Sequence, residues 1–96
     1  MERTVITIRE YCTYHQPVAP DFIQTLIDHG LIRQAAEEAE PAIYFEELSD
    51  LERFARLHYD LDINVPGIET IQHLLQRMQT LQNELRQLRR QQLLGG

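Results

Sequence analysis

The sequence predicts a mainly α-helical protein with a winged helix-turn-helix head at residues 1–65 and a long coiled-coil helix at residues 66–96. Three observations carry this prediction. Two short amphipathic segments flank a proline-containing turn, two short β-rich segments follow them, and an apolar seam runs through the last third of the chain. A chain of 96 residues has room for one small core, so both regions are expected to form one structural unit.

The first elements predicted are a strand and two helices. Residues 5–8 are all β-branched and mostly apolar, which predicts a brief strand, and residues 9–15 follow as a short helix. Pro20 suits the first position of a second helix, and Gly30 stands where a left-handed residue ends one. The apolar stripe of this second helix consists of Phe22, Ile23, Leu26 and Ile27. Two helices joined by a tight turn predict a helix-turn-helix.

A small β-hairpin is predicted to form the wing. Residues 31–33 and 42–45 are its two strands, and the small, acidic residues 34–41 connect them. A third helix is expected over residues 48–61. Its buried face consists of Leu48, Leu51, Phe54, Ala55, Leu57 and Leu61.

The last helix is predicted from its spacing of apolar residues. Residues 62–67 interrupt the helical pattern because proline restricts both itself and the preceding residue, so the helix is expected to begin near Ile68. Its seam consists of Ile71, Leu74, Met78, Leu81, Leu85 and Leu88. Steps of three and four residues are typical of a coiled coil, which predicts a homodimer. The alternative is that part of the seam packs back on the head.

The charge of the chain is segregated. There are nine arginines and no lysine. Residues 1–69 hold 14 acidic residues and 5 arginines, a net charge of −9, whereas residues 70–96 hold one acidic residue and four arginines, a net charge of +3. An acidic head repels the phosphates of nucleic acids and attracts basic surfaces, so a protein partner is favoured over DNA.

The sequence offers little for catalysis or metal binding. Cys12 and His15 form a Cys-x-x-His pair, but a structural zinc site needs about four ligands and the other histidines lie elsewhere in the chain. No catalytic residue, metal ligand or cofactor is therefore predicted, and the protein is not expected to be an enzyme. Cys12 is expected to pack as a small apolar residue in the first helix.

The predicted compartment is the cytoplasm. No stretch approaches the roughly 20 apolar residues that span a bilayer, and no secretory signal is apparent after Met1. The single cysteine cannot form an internal disulfide.

The order of these elements resembles that of MerR-type regulators. Residues 7–11 and 28–32 resemble the start of their helix-turn-helix, and residues 44–45 resemble the end of their wing. The long last helix resembles their dimerisation helix. This resemblance covers nearly the whole chain and implies a DNA-reading dimer as one hypothesis for its function.

A second resemblance is to the CbpM-like chaperone modulators, which share the MerR-like plan. It rests on Ile8-Arg9-Glu10-Tyr11-Cys12 and on Arg56-Leu57-His58-Tyr59-Asp60-Leu61 followed by Val65-Pro66-Gly67-Ile68. The resemblance implies a small protein that binds the J-domain of a DnaJ-like co-chaperone and inhibits its action with DnaK. A plain dimerising adaptor is a third hypothesis.

Charge favours the modulator over the DNA-binding regulator. The second helix carries Asp21 and Asp28 and no arginine, and the wing region carries five glutamates against Arg33 alone. Affinity for DNA depends mainly on cations that neutralise phosphates. The residues predicted to contact the partner are the acidic Asp21, Asp28, Glu46, Glu47 and Asp50, with Phe22 or Tyr44 as an apolar anchor.

Overall fold

The computed structural model describes residues 4–36 and 38–95, so Glu37 of the predicted wing lies outside the described residues. In chain order its elements are β1 (Val5–Thr7), α1 (Ile8–Tyr14), α2 (Pro20–Asp28), β2 (Ala42–Tyr44), a 3₁₀ turn (Phe45–Glu47), α3 (Leu48–Tyr59) and α4 (Val65–Leu93). The predicted fold class is confirmed: the protein is mainly helical, with a small antiparallel sheet and a long C-terminal helix.

The helix-turn-helix forms where the sequence predicts it. The Thr7 hydroxyl accepts a hydrogen bond from the backbone N–H of Glu10 at 3.0 Å, and the Glu10 carboxylate accepts one from the N–H of Thr7. This reciprocal cap satisfies N–H groups that the first turn of α1 leaves unpaired. Pro20 occupies the first turn of α2, and Gly30 has a φ of +74° just after its end, a conformation that glycine adopts without strain.

The sheet pairs strands that the sequence analysis did not pair. β1 runs antiparallel to β2, with Ile6 opposite Ile43. The prediction of a strand at residues 31–33 is wrong. Gln34 alone forms an isolated antiparallel bridge with Ile43, on the side of β2 that faces away from β1. The physical reason is that the Arg33 N–H donates to the carboxylate of Glu47 at 2.8 Å, which removes it from any ladder.

α4 begins earlier than predicted, at Val65. The Asn64 side chain caps it by accepting from the N–H of Gly67 at 2.8 Å, and Pro66 fits the first turn because no backbone donor is needed there. A Cβ at Gly67 would lie 2.8 Å from a methyl group of Ile63, so the junction requires glycine. α3 ends at Tyr59, and consequently Leu61, predicted to be buried, is exposed.

The core lies where α1, α2, α3, β2 and the first turn of α4 meet. Its fully buried large side chains are Ile23, Leu26, Ile32, Ile43, Leu51, Phe54 and Ile68. In α1, Tyr11 is buried, Cys12 is half-buried and Tyr14 is exposed. Beyond its first turns α4 leaves the head, since 29 helical residues extend about 44 Å. No helix among the described residues is long and apolar enough to cross a membrane.

Candidate binding face

The outer face of α2 is acidic. Asp21, Gln24 and Asp28 are spaced by three and four residues, so they share one face, and all three are exposed. The Gln24 amide donates to the Asp28 carboxylate at 3.0 Å. Asp21 forms no ion pair with any described residue. The opposite face of α2, which includes Ile23 and Leu26, is completely buried. The amphipathic pattern of this helix therefore presents carboxylates to solvent.

The arginines in the described part of the head are paired with carboxylates of the same chain. In residues 4–36 and 38–69, every arginine lies within 4 Å of a carboxylate. The pairs are Arg9–Glu40 at 3.1 Å, Arg33–Glu47 at 3.1 Å, Arg53–Asp50 at 3.5 Å and Arg56–Glu52 at 3.8 Å. Each arginine in the described part of the head therefore has its charge balanced by a nearby carboxylate.

An open groove of ≈ 840 Å³ lies between α1, the following turn, the start of α2 and residues 40–41. We call it the α1–α2 groove. Its apolar lining consists of Ile8, Cys12, Pro17, Val18, Pro20 and Pro41, and its polar lining includes Thr13, Asp21 and Gln24. Burial raises the pKa of the Cys12 thiol, so it stays protonated at neutral pH.

Arg9 and Glu40 line the groove as an ion pair. The guanidinium donates to both carboxylate oxygens, at 3.3 and 3.1 Å. This hydrogen bonding, together with the positive charge of Arg9, lowers the pKa of the Glu40 carboxyl. The two groups are therefore both charged at neutral pH, and they cancel each other.

Two predicted contact residues are not available on the surface. Phe22 is buried in the core, where its ring stacks on His58 with centroids 4.5 Å apart and meets Tyr59 edge-on. Glu47 is 9% exposed, and its carboxylate accepts from the backbone N–H and the guanidinium of Arg33. Both side chains make contacts within the head, so they are not available to contact a partner.

The other predicted contacts lie in different parts of the head. Asp21 and Asp28 share the outer face of α2, whereas Glu46 and Asp50 lie in the 3₁₀ turn and at the start of α3. Tyr44 is half-buried in β2, and its hydroxyl accepts from the N–H of Ala36 at 3.2 Å. The structure thus brings two of the seven residues together on one helical face.

The α1–α2 groove was not predicted from the sequence. The prolines of the turn were visible, but the far wall is built by residues 40–41, which are distant in sequence. Tertiary contacts bring them to α1: the Ile8 N–H donates to the Pro41 carbonyl at 3.0 Å, and Glu40 holds Arg9. No local pattern in the sequence predicts that contact.

The apolar seam of α4 lies outside the head. Ile71 is half-buried, whereas Leu74, Met78, Leu81, Leu85 and Leu88 are each about half exposed. The alternative in which the seam packs back on the head therefore applies to Ile71 alone. Within residues 4–36 and 38–95, no three histidine, cysteine or acidic side chains are grouped as metal ligands would be.

The fold and this face define a helix-turn-helix head carried on a long helix. The chain matches the family described as MerR HTH family regulatory protein over residues 6–90, and it belongs to that family. No curated protein and no solved structure matches it.

Proposed function

We propose that this protein is a chaperone modulator. Its head binds the J-domain of a DnaJ-like co-chaperone and inhibits the action of that J-domain with DnaK. The observation that carries the proposal is the outer face of α2, where Asp21 and Asp28 are exposed, in a head whose described arginines all lie beside carboxylates. An acidic face of this kind complements a basic protein surface. The resemblance to the chaperone modulators implies that a J-domain supplies such a surface.

The same face is poorly suited to duplex DNA. In DNA-binding helix-turn-helix proteins, the second helix enters the major groove and its first residues meet the base edges. Here those residues include Asp21 and Gln24. Arg9, the one arginine of α1, is already paired with Glu40. Binding DNA would place carboxylates beside phosphates, with few counterions to release.

The second place where the chain resembles the chaperone modulators, residues 56–61 and 65–68, lies at the joint between the helix-turn-helix and α4. The Tyr59 hydroxyl accepts from the N–H of Ala19 at 2.9 Å, and the His58 imidazole lies 2.9 Å from the carbonyl oxygen of Ile63. These contacts fix α2 relative to the start of the long helix. This part of the resemblance therefore concerns residues that set the position of the acidic face.

A DNA-binding transcription regulator is the second candidate function. The family match over residues 6–90 favours it, because the family is described as regulatory and the match includes the whole helix-turn-helix. The seam of α4 is compatible with a dimer in both cases, so dimerisation does not distinguish the two candidates.

The deciding experiment measures both partners side by side. The full-length protein is titrated with a purified J-domain and with fragments of host genomic DNA at physiological salt, using fluorescence polarisation. We expect saturable binding to the J-domain, reduced stimulation of the DnaK ATPase by the co-chaperone, and no sequence-specific binding to the duplex. Submicromolar, salt-sensitive binding to DNA without binding to the J-domain would overturn the proposal and establish the regulator.

A further inference from the structure

We propose that the α1–α2 groove is the anchor pocket for the partner: it takes an apolar side chain that projects from a basic segment of the partner protein. The identity of that partner rests on the function proposed above, whereas the chemistry of the occupant follows from the groove. The groove is a concave surface with an apolar lining, so its occupant has to supply a projecting apolar group.

The size and lining of the groove fit an apolar guest. A volume of ≈ 840 Å³ falls within the range of roughly 300–1,000 Å³ that is typical of binding pockets. Ile8 and Val18 are nearly buried, and three prolines contribute to the lining. Proline side chains lose almost no conformational entropy when they are covered. Covering the groove therefore costs little side-chain entropy at the prolines and removes apolar surface from water.

The charges at the groove select a basic segment. Asp21 is exposed and forms no ion pair with a described residue, so an arriving lysine or arginine finds an available carboxylate. Among the described residues that line the groove, the one cation available to an arriving carboxylate is Arg9, which already donates two hydrogen bonds to Glu40. A partner segment whose apolar side chain is flanked by lysine or arginine therefore gains an ion pair with Asp21. A segment flanked by acidic residues does not gain this ion pair.

A second copy of this chain offers similar chemistry at its C-terminal end. Leu93 and Leu94 are 86% and 85% exposed, and they follow Arg89 and Arg90. That contact would join two different surfaces head to tail, and such contacts form open chains unless their geometry closes a ring. A separate protein partner avoids this, so we assign the groove to a separate protein.

Cys12 allows occupancy to be measured directly, because it is the only cysteine of the chain and lines the groove. Alkylation by iodoacetamide is followed by mass spectrometry on the full-length protein, at one alkaline pH because burial raises the pKa of this thiol. Saturating J-domain should slow alkylation by about tenfold if the groove is covered, as expected when an anchor site is excluded from solvent.

A matched pair of variants tests the groove by filling it. Thr13→Trp places an indole in the groove, whereas Thr80→Trp makes the same change on the exposed part of α4. Each threonine hydroxyl donates to the carbonyl four residues earlier, at 2.8 and 3.1 Å, so both variants lose the same local bond. We expect Thr13→Trp to weaken J-domain binding by about tenfold or more and Thr80→Trp to leave it unchanged.

A second measurement keeps the test valid if Thr13→Trp does not fold. The folded native protein is alkylated at Cys12 with N-phenylmaleimide, which fills the groove without a mutation, and should lose J-domain affinity to a similar extent. If the J-domain binds but neither protects Cys12 nor responds to a filled groove, the groove inference is overturned while the proposed function stands.

Two synthetic helical peptides separate the inference from the proposed function. One combines leucine with lysine and the other combines leucine with glutamate in the same pattern. If the J-domain does not bind at all, protection of Cys12 by the lysine peptide alone still supports the groove. If both peptides protect Cys12 equally, or if neither protects it, the groove inference is overturned. Faster Cys12 alkylation in Leu93→Asp/Leu94→Asp without any partner would also overturn it, because the occupant would then be a second copy of the chain.

Discussion

At the scale of single residues, the carboxylates of the head divide into those that accept bonds within the chain and those that face water. Glu47 belongs to the first kind, since it satisfies the Arg33 N–H at 2.8 Å and is nearly buried. Asp21 belongs to the second kind, since it is exposed and forms no ion pair among the described residues. Sequence alone gives both residues the same charge, but only the second can attract a partner.

We predict that Asp21→Lys weakens J-domain binding by about fivefold to tenfold, mainly through a slower association rate, because it replaces attraction by repulsion at the rim of the groove. Asp60→Lys is the control, since it makes the same charge change at an exposed position after α3. Surface plasmon resonance gives both rate constants. Equal effects of the two substitutions would indicate diffuse attraction by the whole head and contradict a defined site.

Glu47→Ala should instead lower the stability of the head by about 1–3 kcal/mol, because the Arg33 N–H and guanidinium lose their acceptor. Glu38→Ala removes an exposed carboxylate and should change stability by less than about 0.5 kcal/mol. Urea unfolding followed by circular dichroism measures both. A Glu47→Ala protein of unchanged stability that no longer binds the J-domain would restore Glu47 as a contact residue.

At the scale of elements, α4 has two parts with different environments. Its first turn inserts Val65 and Ile68 into the core, and the Asn64 cap and Gly67 fix the direction in which it leaves the head. The rest of the helix carries the exposed seam, whose side chains beyond Ile71 are each about half exposed. A long apolar stripe of this kind is typical of a helix that pairs with another helix.

We predict that Leu81→Asp/Leu85→Asp converts a dimer into a monomer, because it places two charges where the seam requires apolar burial. Gln79→Asp/Asn83→Asp is the matched control, since its residues have the same spacing but lie off the seam. Sedimentation velocity distinguishes the states. A native protein that is monomeric at high micromolar concentration would contradict the dimer whatever the variants do.

At the scale of the whole molecule, charge is divided between the two parts. The head carries the acidic excess with its described arginines paired, whereas Arg77, Arg86, Arg89 and Arg90 of α4 form no ion pair with a described residue. The seam of α4 lies outside the head, so the two parts present different surfaces: an acidic, grooved head and a basic, leucine-rich helix. A basic partner should therefore approach the head first.

Binding of the J-domain should accordingly weaken as salt is added, because exposed charges are screened over about 8 Å at physiological ionic strength. The association rate should fall much more than the dissociation rate rises, since the apolar anchor in the groove is insensitive to salt. Stopped-flow fluorescence across a series of sodium chloride concentrations measures both rates. An affinity that is independent of salt would remove the electrostatic account and leave apolar contacts as the basis of recognition.

The sequence by itself determined the helical elements, the turn of the helix-turn-helix and the sign of the charge on each part of the chain. These features depend on neighbours within a few residues, such as Pro20 at the start of α2 and Gly30 after its end. The amphipathic spacing of α2 and α4 was sufficient to place Asp21 on an exposed face and the leucine seam outside the core.

Tertiary structure alone decided the pairing of the sheet and the availability of individual side chains. Ile43 pairs with Ile6, which is distant in sequence. Phe22 packs in the core, and the Glu47 carboxylate accepts a hydrogen bond from the Arg33 N–H. The α1–α2 groove likewise needs residues 40–41 against α1. The physical reason is that burial and strand pairing depend on contacts between distant segments, whose free energy is not encoded in any local pattern.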